Sequence, residues 1–166
     1  MSPLDQILEG LLIGDNVVWY DDAGSLAAVF CMNFLQASIA EGKSFIYVSF
    51  DRSPRNLLEK LGSLAENENL TILDCFTYGK GKGADTFLEF YEKMSHQWPC
   101  RIIHVPDPSD PESVMRTFLD VQADMKTDVR FVFESVTGMQ ELWNGEDAIS
   151  RFYSHTCPRL YELRTI

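Results

Sequence analysis

The stretch Asn16 to Leu35, NVVWYDDAGSLAAVFCMNFL, constrains this chain more than any other. Val17, Val18, Trp19 and Tyr20 are β-branched or aromatic, and they predict a buried strand. Asp21, Asp22, Ala23, Gly24 and Ser25 supply turn chemistry and a helix N-cap. Leu26 to Leu35 is almost wholly apolar, which predicts a largely buried helix. A strand that turns sharply into a buried helix is a βα unit. Its helix N-terminus offers free N–H groups and a positive dipole end, a natural seat for an anion.

The remaining chain alternates in the same way. Leu4, Ile7, Leu8, Leu11 and Leu12 follow a helical period, predicting a short amphipathic helix over residues 3–9 that starts at Pro3. Gly14 and Asp15 turn into the first strand. The first long helix should end near Glu41, with Gly42 just beyond it. Phe45 to Phe50 is a continuous apolar run, as in a strand buried on both faces. Ser53 and Pro54 open a helix whose apolar side is Leu57, Leu58, Leu61 and Leu64. Asn67 to Asn69 is a turn, and Leu70 to Cys75 a third strand. Phe87, Leu88, Phe90 and Tyr91 mark a helix to about Gln97. Arg101 to Val105 is a strand, and DPSDPES at 107–113 a loop and N-cap. Val114, Phe118, Val121 and Met125 carry a helix. Arg130 to Phe133 is the next buried strand, with Glu134 at its end. Gly145 and Glu146 open a last helix through Ile149, Phe152 and Tyr153, and RLYELRTI follows Pro158. Parallel strands joined by right-handed crossovers are the economical α/β solution.

With 166 residues and 45% hydrophobic content, the chain can build one domain with a real core. A net charge of −11 disfavours nonspecific binding to nucleic acid or anionic membrane. Cys31, Cys75, Cys100 and Cys157 form no C-x-x-C pair and no zinc spacing, so they read as buried reduced thiols and no metal is expected. With no basic leader and no long apolar run, a cytoplasmic protein without a membrane span is expected.

Four segments in order resemble the RecA-like P-loop ATPases of the KaiC type. LDQILEGLLIGDNVVWY is similar to that family's opening helix, turn and first strand. IYVSFDRSP is similar to its second strand, LTILDCF to its third, and RFVFESVTGM to its Walker B strand. The resemblance covers most of the chain. It implies a three-layer RecA-like P-loop NTPase fold with a mostly parallel central sheet. It also implies that residues 1–166 are one domain, the N-terminal part of a longer, C-terminally truncated one.

Under that resemblance the phosphate-binding motif G-x-x-x-x-G-K-[ST] falls on Asp21, Asp22, Ala23, Gly24, Ser25, Leu26, Ala27 and Ala28. The family's Lys becomes Ala27 and its magnesium-binding hydroxyl becomes Ala28, so both groups that hold phosphate and metal are gone. Two carboxylates are added. Like charges about 4 Å apart repel by about 4 kcal/mol at an effective dielectric near 20, more than a helix terminus offers an anion. The family's paired glutamates become Asp51 and Arg52. Asp51 retains a base, whereas Arg52 stays protonated. The Walker B Asp becomes Glu134, able to hold magnesium only with adjusted geometry.

Other features have bland readings beside the sharper ones. TYGKGKGAD at 77–85, with Lys80 and Lys82, reads as a phosphate cradle or as a loop with solvated lysines. His104 reads as a satisfied structural histidine more readily than as a ligand, and His96 and His155 stand alone. Ser135 has no His partner for hydrolase chemistry. Trp143, Met139 and Leu142 suit a subunit contact or the core equally. Trp19 and Tyr20 suggest a filled pocket, or simple core packing.

Three functions follow. The first is a non-catalytic pseudo-ATPase domain that acts through protein contacts with itself or an active paralogue, in regulation or signal transduction. It needs no cofactor, and Asp51 and Glu134 are vestigial. The second is a residual ATP·Mg binder or weak ATPase using Asp51 and Glu134 with Lys80 or Lys82. The third, a recombinase-type nucleic-acid module, sits badly with the acidic charge, and a low-salt gel shift separates it from the others.

Overall fold

The apolar runs at 45–50, 70–75, 101–105 and 130–133 all become neighbouring strands. The computed structural model describes residues 15–20, 26–81, 84–94, 99–125 and 128–162. Four strands, β1 (Ser44–Ser49), β2 (Leu70–Asp74), β3 (Arg101–His104) and β4 (Val129–Phe133), form one sheet in the order β3-β2-β1-β4. Every pairing is parallel, with Phe45 opposite both Leu70 and Arg130, and Ile72 opposite Ile102. Seven α-helices accompany the sheet among the described residues: α1 (Leu26–Ala40), α2 (Pro54–Leu61), α3 (Phe76–Gly79), α4 (Ala84–Met94), α5 (Pro111–Ala123), α6 (Val136–Leu142) and α7 (Glu146–Glu162).

β1 is central, and its alternation divides the core. Ile46 and Val48 join Val114, Phe118, Met139 and Phe152 from α5, α6 and α7. Phe45 and Tyr47 join Leu35 of α1 and Leu57, Leu58 and Leu61 of α2. A strand buried on both faces is what a continuous apolar run requires. The outcome is a layered α/β architecture, compatible with Rossmann-like or RecA-like folds, with helices on both sides of the sheet.

Local signals act where expected. Gly42 takes φ +69° after α1, and the Lys43 N–H reaches back to the Ser38 carbonyl, closing the helix. Ser53 caps α2, accepting from the Asn56 N–H, with Pro54 in the first turn. Asp110 caps α5, accepting from the Glu112 N–H, with Pro111 next.

Several expectations need correction. Asn16 to Tyr20 is not a buried strand: residues 15–20 have no regular structure, and Tyr20 is 89% exposed. β-Propensity favours a pleated, half-buried setting, but only a neighbouring ladder makes a strand, and among the described residues this stretch joins no sheet. Trp19 stacks instead on Phe30 of α1, with ring centroids 4.9 Å apart. The helix at Leu26 is not largely buried either. Leu26 and Val29 face solvent, and of α1 only Leu35 and Ser38 are buried. The loop at 77–85 begins as a helical turn, α3, and Lys80 lies over the Phe76 ring. A helix not expected from the sequence, α6, follows Glu134 and is capped by Ser135, whose Oγ accepts from the Gly138 N–H. α7 runs through Pro158 to Glu162. Trp143 belongs to the core: it packs edge-on against Phe50, and its indole N–H donates to the Pro108 carbonyl at 2.8 Å. The helix over 3–9 and the residues after Glu162 lie outside the described residues. No helix among those described is long and apolar enough to cross a membrane.

Candidate functional site

The chain steps from β1 outward to β2 and β3, then returns to place β4 on the other side of β1. In open parallel sheets a ligand crevice forms beyond the carboxyl ends of the strands, where the order reverses. Here that point lies between β1 and β4. Ser49, Phe50, Asp51 and Arg52 leave one strand there, and Glu134 and Ser135 leave the other.

Glu134 is held by both neighbours. The Glu134 N–H bonds the Val48 carbonyl at 2.9 Å, extending the ladder by one residue. Its carboxylate is nearly buried, with the side chain 7% exposed. Oε2 accepts from Ser49 Oγ at 2.7 Å, and Oε1 accepts from Tyr47 Oη at 3.1 Å. Oε1 also takes a close ion pair from Arg52 Nε. Both oxygens are therefore occupied, and the buried charge is neutralised. The shifts around it agree. Burial, reinforced by the Glu134 charge, pushes the Tyr47 phenol far above its usual range. Burial disfavours the Arg52 cation, but Glu134 outweighs it and raises Arg52 overall. Burial, with the Arg52 charge beside it, lowers Lys60 of α2. Burial also raises the Cys31 thiol on α1.

Asp51 behaves differently. It is exposed, and its Oδ1 lies so close to Gly138 that a Cβ there would sit 2.1 Å away. It borders a crevice of about 210 Å³ shared with Lys80, Gly138 and Glu141. Glu134 points toward Tyr47 on the α1–α2 side, while Asp51 packs on α6. The structure does not aim these two acids at one point. Of the expected phosphate loop, Leu26, Ala27 and Ala28 form the first turn of α1, with no acidic residue in it. Asp21, Asp22, Ala23, Gly24 and Ser25 lie outside the described residues.

A second buried carboxylate sits two strands away. Asp74, at the end of β2, has its side chain only 2% exposed. Its Oδ1 accepts from the Thr77 N–H at 3.0 Å, and Oδ2 accepts from Tyr91 Oη at 2.9 Å. His104 Nδ1 lies 3.1 Å from the same Oδ2, and the Tyr91 ring stands edge-on to the imidazole. Burial and the Asp74 charge push the Tyr91 phenol well up. His104 is thus tied to a carboxylate inside the fold. Neither Asp74 nor the Arg52–Glu134 pair was singled out from the sequence. The available signals were an acid ending an apolar strand, and an Arg and a Glu each just past adjacent strands.

The chain matches no protein-family model and no curated protein.

Proposed function

We propose that this chain is a non-catalytic RecA/KaiC-like domain that acts through protein contacts, with itself or an active paralogue, in a regulatory or signalling role. The observation that carries this reading is Arg52 on Glu134. The residue at the expected metal-binding acid already has its charge answered by a guanidinium, a tyrosine and a serine. A magnesium ion would have to displace all three. Ala27 and Ala28 supply neither the cation nor the hydroxyl that phosphate and metal need. The sheet order, with β1 between β2 and β4, is compatible with the layered core that the resemblance implies. Isothermal titration with Mg-ATP and Mg-ADP tests this directly. No binding in the low micromolar range is expected, and a dissociation constant there would overturn the reading.

One observation favours a second reading, a residual ATP binder or weak ATPase. Asp51 remains exposed beside Lys80 at the crevice under α6. Measurable turnover lost in Asp51→Ala would support it, and absence of turnover with any divalent metal would dismiss it.

A further inference from the structure

The described arginines fall into two groups. Arg52, Arg55, Arg101 and Arg130 each pair with a carboxylate: Glu134, Glu59, Asp124 and Glu41. Arg116, Arg151 and Arg159 pair with none among the described residues; Arg151 Nε only donates to the Asp147 carbonyl. These three line one groove, between α5 and α7, of about 720 Å³. In a chain of net charge −11, with 25 acidic residues, this groove is lined by three such arginines against two carboxylates, Asp110 and Glu112, a local excess of positive charge.

Its shape narrows the occupant. Arg151 and Arg159 are eight residues apart on α7, about 12 Å along a helix, with His155 between them. Arg116 faces them from α5. The floor between is apolar, formed by Met115, Leu119 and Phe152. A single small anion can meet only one end of such a row. A helix lying in the groove meets all of it, with apolar residues on the floor and acidic residues on successive turns facing the arginines. Asp110, the cap of the α5 wall, and Glu112, in its first turn, carry the opposite sign and set a direction. The positive N-terminal end of the docked helix belongs beside them.

We infer that the α5–α7 groove docks an acidic amphipathic helix of a partner protein. This rests on the reading of the chain as a protein-contact domain and names where that contact is made. The test uses the whole chain and a labelled amphipathic helix about 20 residues long, with Leu along one side and Glu elsewhere. A control peptide carries Gln for Glu. Fluorescence anisotropy is expected to show binding of the Glu peptide that weakens with added salt. The R116E/R151E/R159E variant, checked for folding by circular dichroism, is expected to lose affinity by about tenfold or more. Arg55→Glu, on another helix, should leave binding unchanged. No binding, equal binding of the Gln peptide or full binding by the triple variant would each overturn the inference. So would preferential occupation by inorganic phosphate or an oligonucleotide, or self-association abolished by the same variant. An Mg-ATP titration run alongside separates the two failures. Nucleotide binding would overturn the protein-contact reading, whereas a silent peptide with no nucleotide binding would overturn the groove alone.

Discussion

Glu134 and Asp74 both close parallel strands of one sheet, and both are buried carboxylates that accept a tyrosine hydroxyl. Their compensation differs. Glu134 is answered by a charge, and Arg52 carries that charge on a side chain 40% exposed. Asp74 is answered by a backbone N–H, a phenol and an imidazole fixed in the fold. Breaking the first leaves a cation that can turn into water. Breaking the second leaves the buried Thr77 N–H without its acceptor. The formal salt bridge is therefore expected to be the cheaper of the two to lose.

The sharpest way to break that comparison is to truncate each acid. Asp74→Ala orphans the buried Thr77 N–H and takes an acceptor from the Tyr91 hydroxyl, and should cost about 3 kcal/mol in urea unfolding. Glu134→Ala should cost about 2 kcal/mol, because Arg52 recovers hydration while Tyr47 does not. A larger loss for Glu134→Ala would reverse the ranking.

The tyrosines offer a test in pH. Both phenols are raised in the fold above the unfolded value. The unfolded chain therefore releases these protons first, near pH 10, while the folded chain holds them. Each contribution is intact below that pH and declines above it by about 1.4 kcal/mol per pH unit. Tyr47→Phe and Tyr91→Phe should each make the alkaline limb of the stability curve shallower, and the double variant shallower still. An unchanged limb would show that neither phenol is held as described.

Smaller effects probe the β1–β4 end alone. At Gly138, an added Cβ meets Asp51 Oδ1 at 2.1 Å and the Phe50 Cβ at 3.0 Å. Gly138→Ala should therefore destabilise by about 0.5–1 kcal/mol, with part of that recovered when Asp51→Ala is present. Strict additivity of the two would show that Asp51 simply swings clear.

What could be read from the sequence was what local chemistry settles. The apolar run at Phe45–Phe50 admits only a strand covered on both faces, and Ser53, Asp110 and Gly42 act within a few residues of themselves. What depended on a distant neighbour was missed. Val17 and Val18 have every propensity for a strand, yet join no ladder among the described residues. Leu26 and Val29 are apolar and still face water. Arg52 and Glu134 are 82 residues apart, so only the pairing of β1 with β4 makes them partners. Trp143 was undecided between core and surface until Phe50, Phe152 and the Pro108 carbonyl enclosed it.

The strand order carries a consequence for how the molecule is made. Ser49 and Glu134 touch across 85 residues, so the middle strand waits for its second neighbour until that much more chain has left the ribosome. At ordinary translation speeds the delay is roughly 4 to 17 seconds. Throughout it, this buried strand of the nascent chain has one open flank, which makes Phe45 to Phe50 a segment that a chaperone has reason to shield.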